Sequence, residues 1–165
     1  MISRVAGCGG DVPEFRPKAG DVVGFSYLWS WEAAAGHDRG LKRRPCLIVQ
    51  TKCDPDGSRL RLVPISHRPI TKMPSMEIPK GYLGDAGLDG LGCYVIPAEV
   101  NVVRWPSTAR DVQLLPKGRL PSGFVASVQQ ELLHQDALNR LIEVDRERLA
   151  RDIVESYRER ERDGR

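Results

Sequence analysis

The chain has 165 residues, 41% hydrophobic and 28% charged, with 25 Lys and Arg against 22 Asp and Glu for a formal net charge of +3. That length suits one soluble domain with a real core, and a sequence pI near 8.8 permits nucleic-acid binding without demanding it. No apolar run approaches the ~20 residues of a membrane-spanning helix, and the N-terminus lacks the apolar stretch of a signal peptide, so a cytoplasmic chain with no membrane partner is expected.

Residues 1–17, with Gly9, Gly10, Pro13 and Pro17 and no periodicity, read as a flexible N-terminal arm. Ala19-Gly20-Asp21 is a turn signal. A strand follows over Asp21–Leu28, and Trp29 and Trp31 put aromatic rings on one face of its end. Glu32–Ala35 suits a single helical turn, after which Gly36 and Gly40 leave the backbone mobile. Pro45–Thr51 is a short buried strand, Asp54-Pro55-Asp56-Gly57 is a turn, and Arg59–Ile65 returns as an alternating strand. Residues 45–65 are therefore a hairpin. Met76–Ile78 reads as an edge strand, residues 81–92 as a flexible glycine-rich acidic loop, and Cys93–Ile96 as a strand. Beyond it, Glu99 and Asn101 share one strand face.

From Pro121 the period changes. Ser122 is placed at a helix N-cap, and Phe124, Val125, Val128, Leu132 and Leu133 follow at helical spacing. The same pattern runs on through Leu138, Leu141, Ile142, Leu149, Ile153 and Tyr157, ending in a densely charged segment with pairs such as Glu147–Arg151. The expected fold is mostly β with a C-terminal helix. It divides into a barrel with its docking helix over 18–134 and a charged helical extension over 135–165.

Among the four cysteines (Cys8, Cys46, Cys53, Cys93) there is no C-x-x-C pair, and no Cys/His grouping has zinc spacing. Neither a metal nor any other cofactor is expected. The cations Lys42, Arg43 and Arg44 precede the second strand, and Ser66, His67 and Arg68 end the third. Pairing of these strands brings them to one face, a cationic site with a titratable imidazole that suits a phosphodiester.

These residues also carry a resemblance. G-D-V-V at 20–23, G-H-D-R-G at 36–40 leading to R-P-C-L-I-V at 44–49, V-P-I-S at 63–66, and the later E-V-N at 99–101 resemble, in order and spacing, the MazF/PemK/Kid toxins, and in particular the PemK-like growth inhibitors. The resemblance covers roughly residues 18 to 134. It implies an SH3-like small barrel, a homodimer, and the toxin of a type II toxin–antitoxin system. Its activity would be metal-independent, sequence-selective cleavage of single-stranded RNA (mRNA), neutralised by a cognate antitoxin. The family's arginine falls on Arg44, its strand-end hydroxyl on Ser66, and the loop histidine of Kid-type members on His37. Where Kid-like members carry an Arg and an Asp two residues apart, this chain has Ile96 and Ala98, so those roles are either missing or moved to Glu99 and Asn101.

Cleavage without a metal needs a base for the 2′-OH, an acid for the leaving 5′-oxygen, and donors for the charge that develops at phosphorus. Arg44 suits the last role, Ser66 positions the phosphate, and His37, His67 or Glu99 moves protons. Lys42, Arg43, Arg68, Asn101 and Trp31 are the candidate RNA contacts, through phosphates, base edges and stacking. Each has a plainer reading beside it: surface cations, a solvated histidine, a hydroxyl bonded to its own backbone, a polar strand face, an aromatic seal. The rival functional class is a non-catalytic binding protein on the same fold, like CcdB, or a degenerate toxin that holds RNA or an antitoxin. A housekeeping RNA-binding domain is a third.

Overall fold

The computed structural model describes residues 14–107 and 112–164. Its elements in chain order are β1 (Asp21–Phe25), α1 (Ser30–Ala34), β2 (Arg44–Asp54), β3 (Gly57–Ser66), β4 (Met76–Glu77), β5 (Tyr94–Val95), β6 (Glu99–Trp105), β7 (Leu115–Arg119), α2 (Ser122–Ala137), β8 (Ile142–Asp145) and α3 (Arg146–Asp163). Among the described residues the eight strands form one sheet in the order β4-β5-β3-β2-β1-β7, with β6 beside β3 and β8 outside β6. The pairing is antiparallel except for β6 with β8. The fold is mostly β with C-terminal helices, as the composition and turn pattern imply, and the sheet curls into a half-barrel.

The curl has local causes. The β2–β3 hairpin turns where the Asp54 carboxylate accepts from the Asp56 N–H at 3.0 Å. Gly57 follows at φ 136°, where a Cβ would lie 2.6 Å from the Trp105 carbonyl oxygen. Register shifts between Ile48 and Gln50, and between Val22 and Val23, add the local twist that bends a sheet. Alternation then sends side chains into two cores. Val22, Leu47, Val63 and Val100 pack with Val125, Val128 and Leu132 of α2. Val23, Phe25, Cys46, Ile48 and Leu62 pack on the other face with Tyr27, Trp29 and Leu114. Each fully buried side chain of this size contributes about 1.5–3 kcal/mol, so the two-faced core is the main source of stability.

Several expectations need correction. The N-terminal arm lies mostly outside the described residues, but Phe15 packs edge-on to Trp105 at 6.3 Å between ring centroids. Ser122 is the first helical residue of α2 rather than its cap; Pro121 holds the cap position with no side-chain bond. The helical pattern does not continue through Ile142. Asn139 takes φ 54°, the left-handed conformation that ends helices, and the chain returns as β8. Leu138, Leu141 and Ile142 fit helical spacing, but Ile142–Asp145 also alternates apolar and acidic, and pairing with β6 decides the outcome.

Residues 135–165 are accordingly not a uniform helical extension. Asp145 caps α3 by accepting from the N–H groups of Glu147 and Arg148. Arg59 and Arg61 of β3 pair with Asp145 and Glu143, and Arg146 is buried. Among the described residues, no helix is long and apolar enough to cross a membrane.

Candidate functional site

The start of β2 and the end of β3 lie at the same end of one antiparallel ladder, since Cys46 pairs with Pro64. That register gathers Lys42, Arg43, Arg44, Ser66, His67 and Arg68 around a groove of about 350 Å³, with Pro45, Ile65 and Cys93 completing its lining. No carboxylate lines it among the described residues, so four cations face one space. A larger hollow of about 650 Å³ lies between α3 and the end of β6. Its Arg104 is paired with Asp54 and Glu147, and Glu147 and Glu155 line it beside Arg151 and Arg158, so its charge is mixed where that of the smaller groove is of one sign.

The loop that presents these cations is anchored. Gly36 and Gly40 were expected to leave it mobile, yet Gly40 sits so close to the chain that a Cβ there would meet the Tyr27 carbonyl oxygen at 2.2 Å. Arg44 is held by stacking: its guanidinium carbon lies 5.1 Å from the centroid of the Trp29 ring. Its Nε is buried and has no hydrogen-bond partner among the described residues. Trp29 is buried and stacks on the half-exposed Trp31, with centroids 4.4 Å apart and planes at 13°. Trp31 therefore offers an open aromatic surface backed by a core residue.

The Ser66 hydroxyl oxygen accepts from the Arg68 N–H at 3.3 Å, the local backbone bond common for serine at a strand end. His67 has partners for both ring nitrogens. Nε2 lies 3.4 Å from an Asp89 carboxylate oxygen, while Nδ1 lies 3.3 Å from the Gly92 carbonyl oxygen and 3.8 Å from Cys93 Sγ. Burial, then the Asp89 charge, push the Cys93 thiol above its ordinary pKa.

The other sequence candidates lie elsewhere. His37 is exposed at the end of α1, where its N–H donates to the Glu32 carbonyl at 3.1 Å, and it does not line the groove. Glu99 and Asn101 are fully buried on β6. Glu99 accepts from the Ser30 N–H and hydroxyl, both at 2.8 Å, and from the Tyr27 hydroxyl at 3.4 Å. Asn101 accepts from the Leu28 N–H at 3.0 Å and donates to the Leu28 carbonyl at 2.8 Å. Arg146 donates to Asn101 at 3.2 Å and to the Ser26 carbonyl at 2.9 Å. Burial raises the Glu99 pKa despite these bonds. The same burial, with Glu99 beside it, holds the Tyr27 hydroxyl well above its ordinary range. This cluster clasps the segment from β1 to α1 against β6. Ile96 and Ala98 are buried as well.

Cys93, which lines the groove, and Asp89, which reaches His67 from outside the lining, are the residues that sequence reasoning passed over. They lie far from His67 along the chain, one in a glycine-rich loop and one at a strand end, and no short motif links them. Scanned against models of known protein families and searched against curated proteins, the chain gives no match.

Proposed function

We propose that the groove binds phosphodiesters and that the protein is a metal-independent endoribonuclease for single-stranded RNA. On this reading it is a toxin of the MazF/PemK/Kid type, built on an SH3-like barrel, dimeric, cytoplasmic and neutralised by a cognate antitoxin. The observation that carries the reading is the convergence of Lys42, Arg43, Arg44, Ser66, His67 and Arg68 on one space. Arg44 stabilises the charge that grows on the phosphate oxygens: its guanidinium carbon is held over the Trp29 ring, its Nε is turned inward, and its terminal nitrogens supply the donors. Ser66 donates to a second phosphate oxygen. His67, oriented by Asp89, exchanges a proton with the sugar hydroxyl or the leaving oxygen. Lys42, Arg43 and Arg68 take neighbouring phosphates, and Trp31 stacks on a base.

One observation favours a second reading. His67 is the sole imidazole lining the groove among the described residues, and Glu99 is enclosed. A cleaving site uses two proton-transfer groups, whereas a site that only holds a phosphate uses none. The second reading is a binding protein on the same scaffold, gripping RNA or a protein partner. Incubation of the purified chain with a long single-stranded RNA in EDTA, beside Arg44→Ala, separates the two. Fragments with 2′,3′-cyclic phosphate ends from the wild type alone support the ribonuclease. Intact RNA that is nevertheless retained by the wild type transfers the proposal to the binding protein.

A further inference from the structure

We propose that His67, Asp89 and Cys93 form a site for a zinc-class divalent cation at the rim of the groove. The three side chains come from the end of β3, the glycine-rich loop and the chain just before β5, and their nitrogen, oxygen and sulfur donors lie within 4.8 Å of one another. In a tetrahedral zinc shell, bonds of about 2.0–2.3 Å set neighbouring ligands roughly 3.4–3.6 Å apart. Here Cys93 Sγ is 3.8 Å from one ring nitrogen of His67, and Asp89 is 3.4 Å from the other. One nitrogen ligates, and closing the shell takes a small movement. His67 and Asp89 have that freedom, with side chains 56% and 54% exposed. Cys93 is fixed, because its carbonyl accepts from the Ile78 N–H at 2.9 Å.

The donor set selects the ion. A thiolate with an imidazole favours Zn²⁺ or Co²⁺ over Mg²⁺ or Ca²⁺. An exposed His–Asp pair alone is a weak interaction, and the thiol beside the imidazole, which donates to the Leu91 carbonyl at 3.5 Å, lies in reach of the same ion. Three protein ligands leave one position for water or for a group in the groove. The thiol must lose its proton on binding, so affinity rises with pH.

The binding site itself does not depend on the ribonuclease reading. Its consequence does rest on that reading: an ion here withdraws the His67 imidazole from proton transfer, so zinc inhibits cleavage.

The test uses the full chain, reduced and stripped of metal, titrated with Co²⁺ and then Zn²⁺. The expected result is a thiolate-to-cobalt charge-transfer band that zinc bleaches. Cys93→Ser removes the band. His67→Ala, a change at an exposed side chain that leaves the fold intact, weakens Zn²⁺ binding by at least about 10-fold, the loss that even an outer-shell change produces. Cys53→Ser leaves both unchanged. A wild type without the band, or His67→Ala and Cys93→Ser variants that bind as tightly as wild type, overturns the site. No RNA enters these measurements, so a protein that shows the band but cuts nothing keeps the metal site and loses the ribonuclease.

Discussion

Glu99, Asn101 and Arg146 make one polar cluster, and Arg44, Ser66 and His67 make another. Both combine a cation, hydrogen-bonding side chains and a nearby aromatic ring, since Arg146 lies over Phe25 at 5.3 Å much as Arg44 lies over Trp29. They differ in what remains to be bonded. In the first, each charged or amide group is enclosed and matched to a partner from another part of the chain. In the second, among the described residues, four cations line one open groove with no carboxylate in its lining, and the buried Arg44 Nε beneath them has no partner. A satisfied polar cluster fixes a structure, whereas a surplus of donors on an open face favours a ligand.

Asn101→Ala breaks this contrast most severely. It leaves the Leu28 N–H and carbonyl buried without their partner and removes one acceptor from the Arg146 guanidinium. The expected loss is about 3–5 kcal/mol of stability, read as a lower denaturant midpoint. Arg44→Ala is the counterpart. Its stacking contributes only about 0.5–1 kcal/mol, so the fold survives. On the ribonuclease reading, cleavage falls by about 10²–10³-fold. If instead Asn101→Ala cost little stability and Arg44→Ala unfolded the chain, the two clusters would have exchanged roles.

How far the sequence reveals these clusters depends on the kind of contact involved. The β2–β3 hairpin and the single turn of α1 were legible, because turn residues and period-two alternation are local signals. The edge strand β4 was legible for the same reason. The cationic half of the groove followed from the hairpin, which fixes where Arg44 and Ser66 end up. Alternation also put Glu99 and Asn101 on one face correctly. It could not say that the segment around Leu28 covers that face, because the cover comes from some seventy residues away in sequence. β7 escaped for a related reason: Leu-Pro-Lys-Gly-Arg carries no strand pattern, and its place is fixed by backbone approach. Gly118 marks that approach, since a Cβ there would lie 2.1 Å from the Asp85 carbonyl oxygen. Gly118→Ala therefore forces the loop off the sheet and costs about 1–3 kcal/mol, measurable by thermal unfolding.

Glu99→Gln sharpens the comparison with the smallest effect. Burial raises the folded pKa of Glu99 above its unfolded value, so the folded state holds more protons between the two. Stability contributed by this group then falls as pH rises through that interval. A glutamine cannot ionise, and it keeps the geometry. Its carbonyl still accepts from the Ser30 N–H and the Tyr27 hydroxyl, while its amide donates to the Ser30 hydroxyl, which reverses its role. Asp54 has the opposite shift, held down chiefly by hydrogen bonds from Arg104, and its stabilisation is lost as pH falls. It is present in both proteins and cancels when their curves are subtracted. The difference should therefore favour Glu99→Gln progressively as pH rises from the ordinary glutamate range, with the two proteins within about 1 kcal/mol below it. Parallel curves would mean that Glu99 titrates normally and is not enclosed, which would return it to the list of side chains a substrate can reach.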